Sequence, residues 1–287
     1  MRVFAQGWSH GFDGPGRRWV YYLKGCNFHC RWCGNPESIS PEVEMMFYPN
    51  RSGSAALSCP KGAVDGGRLD RTRCGQCAGR LCVDHWRNAA FELAGKELSA
   101  TEIIGDVEER RPFFAPDGGV TFSGGEPSLQ MDALLDTARR LRENGVHLVV
   151  ESNASSPRFS ELCDCVDLLI CDLKCVTPEL HRQITGADNR LVLANLAAMP
   201  KNKTIFRVPL IRELNFTASE RLAIFQFLLR VRPSRVEFLR LHHLGMPKYE
   251  ALGLPYPAEN LHPVERGEAL EFCGRLRAEG IDAEVLN

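Results

Sequence analysis

The sequence predicts an α/β fold: a series of β/α units that closes or partly closes into a barrel, interrupted early by a small cysteine-rich insertion. Two observations carry this reading. From about Ser99 onward, short apolar runs of strand length alternate with amphipathic stretches of helix length, the pattern of parallel strands joined by helices. Successive units of this kind wind with one hand, which brings the series round toward closure. Between about Ser38 and Gly95 the pattern lapses. Gly, Pro, Arg and Cys dominate there and apolar periodicity is weak, so the stretch has too little apolar area to bury by itself and reads as an insertion held by a metal centre. The chain therefore divides into 1–39, the start of the barrel; 40–97, the insertion; and 98–287, the rest of the barrel.

The elements follow in order. Residues 19–23 (WVYYL) have strand composition and are bounded by Pro15-Gly16 and Gly25. Residues 119–122 (GVTF) form the next strand. In 131–143, Leu134, Leu135, Ala138 and Leu141 fall on one helical face, and Gly145 stops the helix. Strands follow at 146–150 and 167–171, a helix at 191–199 and a strand at 204–210. Thr217-Ala-Ser-Glu220 is a capping box, with the Glu side chain expected to reach back to the cap amide, and it opens a helix through residue 229. A strand at 236–241, a helix at 264–278 and a strand at 281–286 complete the chain. In barrels the chemistry sits at the carboxyl ends of the strands. Polar sets fall at those ends here: Ser123-Gly-Gly-Glu126, Glu151-Ser-Asn153, Asp172-Leu-Lys174 and His242-His243. They are expected to line one mouth.

Composition narrows the function. With 35 basic and 36 acidic side chains and a formal charge of −1, no electrostatic case exists for a nucleic-acid or membrane-surface binder. No apolar run reaches the roughly 18 residues of a membrane span, and the first 18 residues lack the apolar core of a secretory signal, so a cytoplasmic location is expected. In that setting disulfides are rare, and 12 cysteines point to metal or cluster chemistry.

The sharpest motif is Cys26-Asn-Phe-His-Cys30-Arg-Trp-Cys33. Three thiolates on one short loop can hold three corners of a cubane iron–sulfur cluster, leaving one iron without a protein ligand. An open coordination position is what separates a catalytic metal centre from a closed structural one. The alternative is a zinc site recruiting His29, which would have to turn back awkwardly to complete a tetrahedron. Cys163, Cys165, Cys171, Cys175 and Cys273 read as core cysteines, Cys171 because strand alternation turns it away from Ile170 and Asp172.

Taken together, the motifs resemble the radical S-adenosylmethionine (SAM) superfamily, and within it the activating enzymes of glycyl-radical enzymes, the group containing the pyruvate formate-lyase activase. The resemblance runs through Asp13-Gly-Pro-Gly16 with Arg18, Leu23-Lys-Gly-Cys26, Cys33-Gly-Asn-Pro-Glu-Ser38, Gly118 to Pro127 with Gln130, Asp172-Leu-Lys174, Thr185-Gly186, Asn195-Leu196, Arg207-Val-Pro-Leu210, Asn215, and His242 to Gly245 with Lys248-Tyr249, nearly the whole chain. It implies a partial (β/α)6 TIM-like barrel. It also implies a [4Fe–4S] cluster on Cys26, Cys30 and Cys33 whose fourth iron chelates SAM. Ser123, Gly124, Gly125 and Glu126 resemble the segment receiving the methionine amino group. Asp172, Lys174, Arg207 and His242 resemble groups that position the methionine carboxylate, the ribose or a cation; their plainer alternatives are salt bridges or, for His242, a satisfied buried imidazole. Trp32 matches an aromatic beside the adenine, or is ordinary core. Asp13 matches a contact to peptide or cofactor, or is a turn cap. Where relatives bind a monovalent cation with Asp-Thr, this chain has Glu151-Ser152, which with Asp172 could still offer oxygen ligands.

Larger members carry two ferredoxin motifs in which the last cysteine of each ligates the other's cluster. Here the first motif is reduced to Ser58-Cys59-Pro60, and the second survives as Cys74, Cys77 and Cys82 without its own Cys-Pro. Cross-ligation then predicts one auxiliary [4Fe–4S] cluster on Cys59, Cys74, Cys77 and Cys82, the alternative being zinc on the same four ligands with His85 as a stray candidate. The resemblance further implies a glycyl-radical enzyme as protein substrate and a low-potential electron donor such as flavodoxin or ferredoxin. Rival readings are a radical SAM enzyme modifying a small molecule or another peptide, and a non-catalytic iron–sulfur or zinc module.

Overall fold

The computed structural model describes residues 1–51, 59, 61–65, 67–77, 82 and 90–286. The strands among them are β1 (Arg2–His10), β2 (Arg17–Leu23), β3 (Glu44–Phe47), β4 (Val64–Asp65), β5 (Arg68–Leu69), β6 (Phe91–Ala94), β7 (Lys96–Glu97), β8 (Gly119–Gly124), β9 (Leu148–Ser152), β10 (Leu168–Asp172), β11 (Thr204–Leu210), β12 (Arg235–Arg240) and β13 (Ala283–Leu286). Nine of them form one sheet in the order β13-β12-β11-β10-β9-β8-β2-β1-β7. From β2 to β13 every neighbouring pair is parallel, and β1 and β7 add on antiparallel. Six β/α units thus start at β2, and β13 adds a last parallel strand. The two ends of the sheet are not hydrogen-bonded to each other among the described residues, so the barrel is partial, as expected.

Strand alternation sorts the side chains into two faces. Tyr21, Phe122, Val150, Leu169, Phe206 and Phe238, one from each of six successive strands, are buried in a core shared with the helices. Cys171 and Cys273 lie in the same core and Cys175 in a second one, so these cysteines are packing groups. The inner face is charged: Arg18, Glu151, Asp172, Arg207 and Glu237 occupy it. Arg207 bonds Glu151 at 2.8 Å, Glu237 at 2.8 Å and the carbonyl of Phe12 at 2.7 Å, reaching from β11 to the turn between β1 and β2. Such a reach requires the sheet to be curled around its inner face.

Three elements differ from expectation. The Thr217–Glu220 capping box is half made: the Thr217 hydroxyl accepts from the Glu220 amide, but the Glu220 carboxylate turns to the backbone amides of Val176 and Thr177. A tertiary donor pair outcompeted the local one. The complete box lies at Ser99 and Glu102, opening the helix Ala100–Arg110. The first strand, Arg2–His10, was hidden because it buries only Val3 and leaves the apolar Trp8 exposed, so no clear alternation marks it. In the insertion, β3 pairs with β6 over a small core of Met45, Phe47, Leu69, Ala90 and Phe91. No helix of the described residues is long and apolar enough to cross a membrane.

Candidate active site

Cys26, Cys30 and Cys33 occupy the loop that leaves β2. Backbone bonds pin this loop on two sides. Gly25 and Cys26 donate to the carbonyls of Ser38 and Ile39 at 2.7 and 3.0 Å, and His29 and Arg31 donate to Thr185 and Ile184 at 2.7 and 3.1 Å. The second pair of acceptors are the last carbonyls of the helix Pro178–Thr185, groups that a helix leaves without internal partners. All three cysteines line one cavity of about 850 Å³. His29 is exposed and does not line it. Burial pushes the Cys26 and Cys33 thiols up to about 12 and raises Cys30 as well.

The strand ends supply the rest of the wall. Ser123, Gly124 and Gly125 at the end of β8, Glu151, Ser152 and Asn153 at the end of β9, Asp172 and Lys174 at the end of β10, and His242 just past β12 share that cavity with the cysteines. The expected polar sets therefore share one cavity, except for Glu126, which does not line it, and His243, which bonds the Tyr256 hydroxyl at 2.9 Å instead. Gly124 and Gly125 allow a backbone approach no side chain would tolerate. A Cβ on Gly124, whose φ is +110°, would lie 2.4 Å from the Leu23 nitrogen, and one on Gly125 would lie 2.2 Å from the Gly25 carbonyl oxygen. That approach lets Gly125 and Glu126 donate to the carbonyls of Leu23 and Gly25, each at 2.8 Å, stitching β8 to the root of the cysteine loop. Lys174 pairs with Asp172 at 2.8 Å. Burial alone would lower its ammonium; Asp172, and Cys30 beyond it, outweigh burial and hold it above its ordinary value. Trp32 lines the cavity and packs against the buried cluster of Cys175, Ile184, Ile211, Leu214, Ala258 and Leu261. His242 lies against Gly34, the residue after Cys33. Asp13 is 8% exposed, also faces the cavity, and receives the Thr121 hydroxyl on its carbonyl at 2.7 Å.

A family model described as the Radical SAM superfamily matches residues 20–222, which includes the cysteine loop and the ends of β8 to β11. The chain belongs to the radical SAM superfamily. It is an enzyme of the type that activates glycyl-radical enzymes. It is 34% identical over 270 residues to the (2S)-3-sulfopropanediol sulfolyase activating enzyme of Bilophila wadsworthia, with 88% of this chain and 89% of that one covered. It is 30% identical over 277 residues to a 4-hydroxyphenylacetate decarboxylase activating enzyme of Clostridioides difficile, covering 91% and 88%. In fold it is similar to a radical SAM methyltransferase from Sphaerobacter thermophilus, with a TM-score of 0.51 at 18% identity over 66% of this chain and 57% of that one.

Membership in the radical SAM superfamily implies a [4Fe–4S] cluster and SAM, and the donor set fits both. Three thiols converge on one cavity with no fourth cysteine or histidine among its lining residues except His242. Among the described residues, no three His, Cys, Asp or Glu side chains are drawn up around a single ion. A zinc tetrahedron demands that closeness, whereas a cubane spreads its thiolates over separate irons. A monovalent cation fits less well. Glu151 is taken by Arg207 at 2.8 Å and by the Ser123 hydroxyl at 2.6 Å, and the Ser152 hydroxyl donates to Glu126 at 2.7 Å. Burial pushes the Glu151 carboxyl up, with Arg207 pulling against it. Of the three expected cation ligands only Asp172 is left, and it holds Lys174, so we derive no step through a cation.

Two expected site residues take other work. The Glu126 carboxylate is fully buried and accepts from the amides of Ser128 and Asn153 and the Ser152 hydroxyl at 3.0, 2.7 and 2.7 Å. It ties β8 to β9 and is not among the cavity-lining groups, unlike Ser123, Gly124 and Gly125 of the same segment. Arg207 has most of its donors committed to Glu151, Glu237 and Phe12 and forms the cavity floor. Glu237, which holds Arg207 from outside the cavity lining, escaped the sequence reading; its signal is an acidic residue between Val236 and Phe238 in a strand. In the insertion, Asp70 caps the short helix Arg71–Gly75 that carries Cys74, and Cys74 and Cys82 pack against the small core. Ser58, Pro60 and His85 lie outside the described residues.

Proposed function

We propose that this chain activates a glycyl-radical enzyme by abstracting a hydrogen atom from the Cα of one glycine of that partner. The observation that carries the proposal is the convergence of Cys26, Cys30 and Cys33 with the carboxyl ends of four parallel strands on one cavity. The relatives named above, each an activating enzyme, support the choice of a protein substrate. When bound, the reduced cluster supplies one electron for cleavage of the sulfonium S–C5′ bond of SAM, giving methionine and a 5′-deoxyadenosyl radical that can take the glycine hydrogen.

The chain's own residues supply placement and the exclusion of water. Three thiolates leave one cluster corner open. The backbone of Ser123 to Gly125 offers carbonyls to the amino group of SAM. Lys174, poised by Asp172, faces the methionine carboxylate as a cation, His242 and Asp172 are in reach of the ribose, and Trp32 presents a flat ring to the adenine. Asp13 meets the incoming glycine segment. Cys59, Cys74, Cys77 and Cys82 hold an auxiliary [4Fe–4S] cluster, and the electron comes from flavodoxin or ferredoxin.

Anaerobic reconstitution tests this. We expect about eight irons per chain, falling to about four in the Cys26→Ala/Cys30→Ala/Cys33→Ala variant. Mixed with SAM, a reductant and its partner, the wild-type chain should give a protein-bound glycyl doublet in EPR. SAM cleavage that survives the triple substitution would remove the catalytic assignment. Cleavage with no doublet on any candidate glycyl-radical enzyme would favour a small-molecule or other peptide substrate.

A further inference from the structure

A run of charged side chains joins the insertion to the loop of catalytic cysteines, with Asn35, Glu37 and Lys248 at its cavity end. Lys24, two residues before Cys26, is 1% exposed. Its stem is wrapped by the insertion's return to the barrel: a Cβ on Gly95 would come within 3.0 Å of Lys24 Cδ and 3.1 Å of Val43. Its Nζ donates to the carbonyl of Glu37 at 2.6 Å and to the carboxylate of Glu44, on β3, at 3.1 Å. Glu44 also pairs with Arg71, the first residue of the short helix bearing Cys74, and Arg71 donates to the Leu252 carbonyl at 3.1 Å. On the other side, Glu37 Oε1 accepts from Lys248 at 2.7 Å, and Lys248 donates to Asn35 Oδ1 at 2.6 Å. Lys248, Glu37, Lys24, Glu44 and Arg71 thus run without a break from Asn35, two residues past Cys33, to the helix of Cys74.

We infer that Glu44 is a positioning residue through which the cysteine-rich insertion sets the geometry of the SAM site. The inference rests on the activase reading above. Glu44 is the one carboxylate within ion-pair distance of Lys24 among the described residues. An ammonium cut off from water needs such a partner, and breaking a buried pair at one end is far more damaging than removing both ends. Without the Glu44 charge, the nearest remedy for Lys24 is the Glu37 carboxylate, whose Oε2 is buried with no hydrogen-bond partner. A swing to Glu37 competes with Lys248 and pulls on residues 35–38. Those residues carry the carbonyl of Ser38 that holds Gly25, and Ile39 beside them holds the amide of Cys26. The disturbance therefore arrives at the cysteine loop itself.

The test compares Glu44→Gln with Lys24→Met/Glu44→Met in the full, anaerobically reconstituted chain. It reads the dissociation constant of SAM and the change in the low-temperature EPR of the reduced cluster when SAM is added. Glu44→Gln should weaken SAM binding by about tenfold, roughly the effect of 1.4 kcal/mol, and alter the SAM-induced EPR change while iron content stays at the wild-type value. The double substitution, which removes the buried ammonium together with its carboxylate, should restore both readouts. Wild-type affinity and spectrum in Glu44→Gln would overturn the inference. So would a double variant no better than the single one, because the defect would then be loss of packing. If the wild-type chain neither binds nor cleaves SAM, it is the activase reading that fails.

Discussion

At the scale of single residues, the site depends more on what is missing from side chains than on what is present. Gly125 has ordinary backbone angles, so its substitution is not strained by conformation; the obstacle is space. The carbonyl oxygen of Gly25 would stand 2.2 Å from a new Cβ, and that oxygen belongs to rigid backbone at the root of the cysteine loop. Gly125→Ala must therefore part β8 from the loop and break the bonds from Gly125 and Glu126 to Leu23 and Gly25. Overpacking of this kind costs about 1–3 kcal/mol. We expect a lower midpoint of thermal unfolding and SAM cleavage reduced by more than about tenfold, while a substitution at Gly7, where a Cβ would meet nothing within 4 Å, leaves both unchanged. Similar rates for Gly125→Ala and wild type would mean that the loop root can shift freely.

At the scale of elements, the helix Pro178–Thr185 is the clamp whose free carbonyls hold His29 and Arg31. Its His181 touches Phe28 of the loop edge-on at 5.2 Å between ring centroids. His181 Nδ1 faces the Ala187 carbonyl at 2.7 Å, and Nε2 is buried with no partner. Burial lowers the imidazole below its ordinary value, because a second N–H would have no acceptor. The unfolded chain then binds the proton more readily than the folded one, so stability is full above the ordinary histidine range and is lost as pH falls from there through the lowered value. Unfolding midpoints measured from pH 7.5 to 5 should fall more steeply for wild type than for His181→Gln; parallel curves would clear His181. Neither the helix nor its clamp was foreseen. The parallel strands of the sheet and the long helices after β8 were legible because each keeps one period over its length, and the strand-end motifs because parallel β/α order forces those ends together; β1 and the helix Ala100–Arg110 were not. What sequence could not show were partners chosen by tertiary proximity: Glu220 leaving its own cap for Val176, Glu126 turning from the cavity to Ser152, Arg207 closing on Glu237. In each case a buried charge took the nearest donors or acceptors in space, and those lie 26 to 44 positions away.

At the scale of the whole molecule, two bodies of unequal self-sufficiency share one chain. The barrel buries a continuous core that includes a large apolar side chain from each of six successive strands, each contributing about 1.5–3 kcal/mol when fully buried. Among its described residues the insertion buries Met45, Met46, Phe47, Ala63, Leu69, Ala90, Phe91 and Ala94, three of them alanines. A core this small is too little for a stretch the length of 40–97 to stay ordered by burial alone, so something else must hold the insertion folded. The proposed cluster on Cys59, Cys74, Cys77 and Cys82 would do so, since metal binding free energy is folding free energy where no site exists in the unfolded chain. The barrel has no such need. Replacing Cys74 and Cys77 by Ser should therefore remove about four irons and let a protease cut within 40–97 at least about tenfold faster. The fragment beginning near residue 98 should stay resistant, read as a stable band by mass spectrometry. Loss of the barrel fragment at the same rate would show that the two bodies unfold as one, and an insertion that stays resistant without its metal would show that its small core suffices.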